Sequence, residues 1–138
     1  MNATKKPKPD YDKPECEVMR EIQLALATVR GLRLWRVNVG RGWVGSGPPK
    51  VFAEAGRKTV TLFGARPFDT GLPEGFSDLF GFIELETETI PVFIEVKSSR
   101  GPIRPKQAAF IAAMEAAGCR AGIARTVSEA MMIVKGEK

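Results

Sequence analysis

The chain contains no histidine, and this absence excludes several classes of functional site. Serine–histidine and cysteine–histidine nucleophilic machinery both require an imidazole, so neither can operate here. The two cysteines, Cys16 and Cys119, do not form a Cys-x-x-Cys pair, and a structural zinc site requires four cysteine or histidine ligands. Any hydrolytic chemistry must therefore come from Asp, Glu and Lys side chains together with a hard metal ion.

The sequence also lacks a long apolar run, because no stretch approaches the ~20 residues of a membrane-spanning helix. The lysines near the N-terminus are not followed by the apolar segment of a signal peptide. We therefore expect a cytoplasmic protein with reduced thiols. Lysine and arginine outnumber aspartate and glutamate by 21 to 16 in 138 residues, which suits an anionic partner without identifying one.

The hydrophobic pattern predicts a single α/β domain, at residues 15–138, preceded by a flexible basic arm at residues 1–14. The predicted elements are a helix at 15–29, strands at 32–39, 58–63, 79–85 and 90–96, a helix at 105–117, a strand at 121–124 and a helix at 126–134. Residues 90–96 are apolar almost throughout, which predicts a strand in the centre of the sheet.

A glycine-rich segment, Gly40 to Pro49, follows the first predicted strand and is predicted to be a loop. It carries Arg41 and Trp43, and two interpretations remain open. The segment could lie against a sugar-phosphate backbone, or it could be a mobile connection. It lacks the Walker lysine pattern, so we do not expect a loop that binds a nucleoside triphosphate.

Three side chains around two predicted strands form the candidate site. Glu95 and Lys97 are two residues apart on one strand, so both project from the same face. Asp78 begins the preceding strand, and a hairpin would bring its carboxylate to the same end. Two carboxylates of this kind can hold Mg²⁺, with the main-chain carbonyl of Val96 as a candidate third ligand. The alternative is an ordinary surface pair of Glu95 and Lys97, which the apolar character of the strand disfavours.

The metal ion would polarise a phosphate and lower the pKa of a bound water, while Lys97 would orient that water or offset transition-state charge. Further basic side chains follow within a dozen residues. They are Arg100, Arg104 and Lys106, and they lie next to Gln107 in the sequence. Such a surface suits phosphate contacts, which position a nucleic acid without reading its sequence.

Several motifs occur in a specific order along the chain. They are Glu21-Ile-Gln23, Trp35-Arg36-x-Asn38, Gly75-x-x-Asp78-Leu79, Ile94-Glu95-Val96-Lys97-Ser98, Gly101-x-Ile-x-Pro-x-Gln107 and Ala117-Gly118-Cys-x-Ala-x-Ile-Ala-Arg125-Thr-Val-x-Glu129. Together they resemble the VRR-Nuc domain, the virus-type replication-repair branch of the PD-(D/E)XK nuclease superfamily. The resemblance covers about residues 15–134 and implies a restriction-endonuclease-like core, in which helices flank a mixed β-sheet.

The resemblance also implies phosphodiester cleavage that depends on Mg²⁺ or Mn²⁺. In this family pattern, Asp78 and Glu95 would bind the metal ion, Lys97 would act in catalysis, and Gln107 would support the site. An acid of the first helix would complete it.

We select Glu21 for that acid, because it directly precedes Ile22-Gln23, and Glu17, one turn earlier, is the rival. The sequence departs from the family pattern at two positions. Ser77 replaces the usual proline before the aspartate, which removes no ligand. Arg104 replaces the usual serine near the start of the helix, which leaves the capping of that helix open.

Standalone proteins of this family resemble phage and prophage proteins that dimerise and cut branched DNA such as Holliday junctions. We therefore expect a homodimeric, structure-specific DNA endonuclease in the cytoplasm of a bacterium or a phage-infected cell. The predicted DNA-contacting residues are Arg36, Asn38, Arg41, Arg100, Arg104 and Lys106. Two alternatives stay open, namely a non-cleaving DNA-binding module of the same fold and a nuclease for flaps or single strands.

Overall fold

The computed structural model describes residues 13–137, so the arm predicted at residues 1–14 lies almost wholly outside the described residues. The elements are α1 (Glu15–Leu26), β1 (Leu32–Arg36), β2 (Arg41–Val44), β3 (Lys50–Glu54), β4 (Arg57–Thr61), β5 (Arg66–Asp69), β6 (Leu79–Glu84), β7 (Thr89–Val96), α2 (Pro105–Ala116), β8 (Arg120–Ala124) and α3 (Val127–Lys135). They fall into two compact units. The first contains the described residues up to Val37 and from Glu74 onward, and the second is Asn38–Pro73.

A four-stranded mixed sheet with the order β1-β6-β7-β8 forms the centre of the first unit. β1, β6 and β7 pair antiparallel, whereas β8 runs parallel to β7. A parallel pair requires a crossover connection, and α2 supplies it. β7 lies inside the sheet and its last five residues are buried. This position confirms the prediction from its nearly continuous apolar sequence.

Helices cover both faces of this sheet. α1 buries Val18, Met19, Ile22 and Leu26, which recur at helical spacing and pack with α3 against alternate residues of the sheet. On the opposite face, α2 contributes Ile111 to a second core with Phe93 and Ala121. Successive strand residues point to opposite faces, which explains why β7 contributes to both cores. The result is an α/β fold with a mixed sheet flanked by helices, compatible with a PD-(D/E)XK nuclease.

The helix boundaries follow local sequence signals. Thr126 Oγ1 accepts a hydrogen bond from the Glu129 N–H at 3.2 Å, so Thr126 caps α3 as its Thr-x-x-Glu sequence predicts. α1 ends three residues earlier than predicted, because the chain must turn there into β1. Gly31 makes this turn with φ of 80° and lies against the backbone of Glu84, where a side chain would clash.

The second unit corrects one loop prediction. β2 lies inside the segment predicted as a loop at 40–49, and it pairs with β5, which lies between the strands predicted at 58–63 and 79–85. β3, which was not predicted, pairs with β4 as a hairpin. Ala55 and Gly56 form its two-residue turn with φ of 46° and 77°, as a twisted hairpin requires. Every residue of these four strands is exposed, so there was no alternation of buried and exposed positions for the sequence to reveal.

No membrane span is found in the part of the chain that the structure describes, because none of its helices has the required length and apolar character.

Candidate active site

The two acids of the predicted site meet where β6 begins and β7 ends. Leu79 of β6 pairs with Ile94 of β7, so Asp78 and Glu95 occupy neighbouring positions at this end of the sheet. Asp78 Oδ2 accepts a hydrogen bond from the Val96 N–H at 2.9 Å. This bond holds the Asp78 carboxylate against the end of β7, as the predicted hairpin requires.

Lys97 and Glu95 form a buried ion pair rather than a surface pair. Lys97 Nζ lies 2.8 Å from Glu95 Oε1, and the exposed fractions are 8% for Lys97 and 1% for Glu95. The Lys97 N–H donates to the Ala124 carbonyl at 3.0 Å, which ties the end of β7 to β8. Removal of either partner would leave an uncompensated charge in the protein interior, which is strongly destabilising.

Gln107 connects the start of α2 to Glu95. Its Oε1 accepts from the Arg104 N–H at 3.0 Å, and its Nε2 donates to Glu95 Oε1. The first bond satisfies one of the free N–H groups at the helix start, which answers the capping question raised by Arg104. Gly75, with φ of 90°, lets the chain pass directly against the Lys106 carbonyl. The Gly75-x-x-Asp78 and Gly101-x-Ile-x-Pro-x-Gln107 motifs are therefore in contact.

A different acid of α1 from those predicted approaches the site. Glu15 Oε2 lies 3.9 Å from Lys97 Nζ, whereas Glu21 Oε1 pairs with Lys13 at 2.9 Å and Glu17 forms no ion pair with Lys97 within residues 13–137. Glu15 precedes the buried residues Met19 and Ile22 by four and seven positions, so it shares the face of α1 that points to the sheet. That spacing was the signal in the sequence that could have identified it.

The family comparison matches the part of the chain that carries these side chains. Residues 68–128 match the VRR-NUC domain. The chain therefore contains a VRR-NUC domain over these residues. The matched range includes Asp78, Glu95, Lys97 and Gln107 but not α1, so the approach of Glu15 to Lys97 is an observation of the structure alone. Comparisons with curated proteins and with solved structures returned no match. The domain identifies a nuclease of the PD-(D/E)XK type, which acts on DNA.

One carboxylate of the VRR-NUC site is electrostatically unusual. Burial raises the pKa of Glu95 and the charge of Asp78 raises it further, while the hydrogen bond from Lys97 opposes the shift. Glu95 Oε2 is buried and has no hydrogen-bond partner among the described residues. An unpaired buried carboxylate oxygen is destabilising, and a bound cation would both satisfy it and favour the ionised form.

The residues present fit a partly hydrated divalent cation. Within residues 13–137, no three acids or cysteines converge as a ready-made metal cluster. The site instead offers the two carboxylates of Asp78 and Glu95. Among the described residues, Glu95 Oε2 has no hydrogen-bond donor, so it is available to a cation. Mg²⁺ characteristically binds to one or two carboxylates and retains several waters, so this pair matches its preference.

Four of the predicted DNA-contacting residues belong to the first unit, and all four are exposed. Arg36 ends β1, Arg100 follows β7, and Arg104 directly precedes α2. Lys106, in the first turn of α2, forms an ion pair with Glu74. These positions leave the cations accessible to a phosphate backbone, although the Lys106 pair would have to open or rearrange.

The other two predicted contacts lie in the second unit. Asn38 begins this unit, and Arg41 begins β2, where its Nε pairs with Asp69 Oδ2 at 2.9 Å. Arg41 and Trp43 are therefore on a paired strand, which contradicts the interpretation of Gly40 to Pro49 as a loop throughout. DNA contact by Asn38 and Arg41 stays a prediction.

Proposed function

We propose that this VRR-NUC protein is a Mg²⁺- or Mn²⁺-dependent DNA endonuclease that recognises DNA structure, with branched DNA such as a Holliday junction as its substrate. The observation that carries this proposal is the Glu95 carboxylate. One of its oxygens binds Lys97 and Gln107, while the other is buried near Asp78 and finds no hydrogen-bond partner within residues 13–137. A buried carboxylate oxygen of this kind does not stabilise the fold, whereas it can bind a cation.

Asp78 and Glu95 would hold the metal ion, with the Val96 carbonyl as the predicted third ligand. When bound, such an ion polarises a phosphate oxygen and lowers the pKa of a coordinated water. The neighbouring protein groups set its position. The Val96 N–H orients the Asp78 carboxylate, and the Gln107 amide orients the Glu95 carboxylate. Preorganised ligands of this kind require little rearrangement during the reaction.

Lys97 would supply positive charge to the reacting phosphate. Its ammonium lies between the carboxylates of Glu95 and Glu15, at 2.8 Å and 3.9 Å. These two contacts hold a flexible side chain in one position, in surroundings that water reaches only slightly. In such a site, a donor aimed at developing negative charge is worth more than it would be in water.

The oligomeric part of the proposal follows from substrate geometry. One domain contributes one such site, and resolving a four-way junction requires two symmetric cuts. A homodimer with twofold symmetry supplies both sites in the required relation. Analytical ultracentrifugation should therefore give the mass of a dimer, and a monomer that resolves junctions in paired cuts would contradict this part.

The nuclease proposal is tested by nicking of labelled four-way junction DNA in Mg²⁺ and in Mn²⁺. Asp78→Ala and Lys97→Ala should each lower the rate by about 100-fold or more, the size expected for loss of a key electrostatic contact. Glu115→Ala and Lys135→Ala, which remove exposed charges on α2 and α3, are the matched controls and should cut normally. Unchanged cleavage by either site variant would refute the site.

A panel of junction, flap, nicked and linear DNAs in the same assay would define the substrate. Preference for the junction would support the structure-specific proposal. Cutting of all forms at equal rates would contradict it. Tight binding of the junction without nicking in either metal ion would instead favour the non-cleaving alternative.

A further inference from the structure

A row of aromatic side chains crosses the sheet of the first unit beside the two carboxylates. Trp35 of β1 pairs with Phe80 of β6, and Phe80 pairs with Phe93 of β7. Directly paired residues project from the same face of a sheet, so the three side chains lie in one row across the strands. The Trp35 ring contacts that of Phe82, two residues further along β6, with centroids 5.9 Å apart. This face is the one that α2 covers, because Phe93 packs with Ile111 of α2.

The row is covered at one end and open at the other. Phe93 is buried, whereas 36% of Phe80 and 54% of Trp35 are exposed. Phe80 stacks on Phe93 with ring centroids 5.0 Å apart and contacts the edge of Phe76 at 5.7 Å. These contacts hold Phe80 in place, while Trp35 at the outer strand presents much of its indole to solvent.

The open rings lie close to the proposed site. Asp78 precedes Phe80 by two residues, and Glu95 follows Phe93 by two. The carboxylates therefore belong to the next row on the same face, about 7 Å along the strands. The Val37 N–H donates to the Asp78 carbonyl at 2.9 Å, so β1 stays paired with this segment up to the carboxylate row.

Positive charge accompanies the aromatic row. Arg33 precedes Trp35 by two residues, projects from the same face of β1 and is exposed. Exposed aromatic rings combined with cations along a backbone path are the features that bind unpaired nucleotides, because every base has a face that can stack. In an uninterrupted duplex each base is paired and stacks on its neighbours, so only an unpaired base can use the platform.

We propose that Trp35, whose ring contacts Phe82 at 5.9 Å, stacks an unpaired base of the DNA whose backbone enters the Asp78–Glu95 site. This inference rests on the proposed nuclease function and specifies its substrate class, namely DNA with single-stranded character next to the cleaved bond. Splayed arms, flaps and opened branch points have this character. A fully paired linear duplex lacks it.

The binding test compares a splayed-arm DNA with a blunt duplex of equal length, in EDTA so that neither is cut. Trp35→Ala should weaken binding of the splayed arm by about 5- to 150-fold, the effect of losing one aromatic–base stack. Binding of the duplex should change by less than about twofold, since no base is available to stack. Equal weakening for both DNAs, or none for the splayed arm, would overturn the proposal.

Two further variants separate stacking from damage to the fold. Trp35→Phe keeps a ring and should retain most of the affinity for the splayed arm. Leu24→Ala removes an apolar side chain that is 63% exposed on α1, and it should bind both DNAs as the wild type does. If Trp35→Phe is as weak as Trp35→Ala, a structural role is indicated and the stacking proposal fails.

Fluorescence gives a direct readout of the stack. The chain has two tryptophans, so in a Trp43→Phe protein the emission reports Trp35 alone. The splayed-arm DNA should quench this emission and the blunt duplex should not. If Trp35→Ala instead converts a dimer into a monomer, the face is covered by a second copy, and the proposal is overturned.

The outcomes for the two proposals are distinguishable. A wild type that nicks no DNA in Mg²⁺ or Mn²⁺, combined with selective loss of splayed-arm binding in Trp35→Ala, would refute the nuclease function and support the stacking platform. Nicking that requires Asp78 but is equally sensitive to Trp35→Ala on both DNAs would support the nuclease and refute the platform.

Discussion

The clearest test of the tertiary arrangement is which acid of α1 supports the site. We expect Glu15→Gln to impair DNA cleavage and Glu21→Gln to leave it nearly unchanged. Both substitutions remove one negative charge from the same helix and preserve side-chain size. Only the first removes a carboxylate that approaches Lys97, at 3.9 Å, whereas the second removes the ion pair with Lys13.

The size of the effect follows from that distance. Unit charges 3.9 Å apart attract by about 4 kcal/mol at an effective dielectric constant of about 20. The Glu15 side chain is 47% exposed, so solvent screening reduces the interaction to about 1 kcal/mol. If the interaction holds Lys97 in its reactive position, its loss lowers kcat/KM about fivefold. For Glu21→Gln we expect a change of less than about twofold.

The assay is the initial rate of junction nicking in Mg²⁺ at substrate concentrations below KM, which reports kcat/KM directly. Glu17→Gln is a second control from the same helix, because Glu17 is exposed. Thermal melting of all three variants checks that they fold. A larger loss for Glu21→Gln than for Glu15→Gln would refute the reasoning and restore the assignment of Glu21 made from the sequence.

Three further predictions follow from the site and its surroundings. Burial raises the pKa of Glu95, so the folded state binds its proton more readily than the unfolded state does. The cost of ionising Glu95 in the fold is therefore absent below its ordinary pKa, grows as pH rises from there to the raised pKa, and is constant above it; the melting temperature of Glu95→Gln relative to wild type should rise over that pH window. Gln107→Ala should cost about 1 kcal/mol of stability through the lost cap and should lower kcat more than it changes DNA affinity, as stopped-flow cleavage and anisotropy would show. Gly75→Ala should reduce the free energy of unfolding in urea more than Gly47→Ala, since both have φ of 90° but only Gly75 faces the Lys106 carbonyl; equal losses would show that the close approach is unimportant.

Most of the first unit could be predicted from local patterns. The strands at 79–85 and 90–96 and the helix at 105–117 agree with β6, β7 and α2 to within about a residue. These elements combine a one-sided or continuous apolar pattern with a clear start or stop, such as Pro105 at the first position of α2. Their signals are strong because each element packs against the core of its own unit.

The strands of the second unit were mostly not predicted, because they do not pack against a core. Its four strands expose every residue, so their pairing depends on turns and backbone hydrogen bonds rather than on an apolar face. Glycine and proline, which punctuate β2 and β5, favoured a loop interpretation. Propensity alone therefore could not reveal two-stranded sheets of this kind, whose residues carry little periodic signal.

The sequence by itself determined which chemistry to propose, because Asp78, Glu95 and Lys97 are groups with which a protein without histidine could hold a hard cation and stabilise a phosphate. It also determined that the two acids share one end of a hairpin. Only the tertiary structure decided that Glu15 faces Lys97, that Gln107 holds Glu95, and that Trp35 continues the row of Phe80 and Phe93. Helix orientation and strand register result from packing between distant segments, and no local pattern encodes the distance between two side chains that meet in this way.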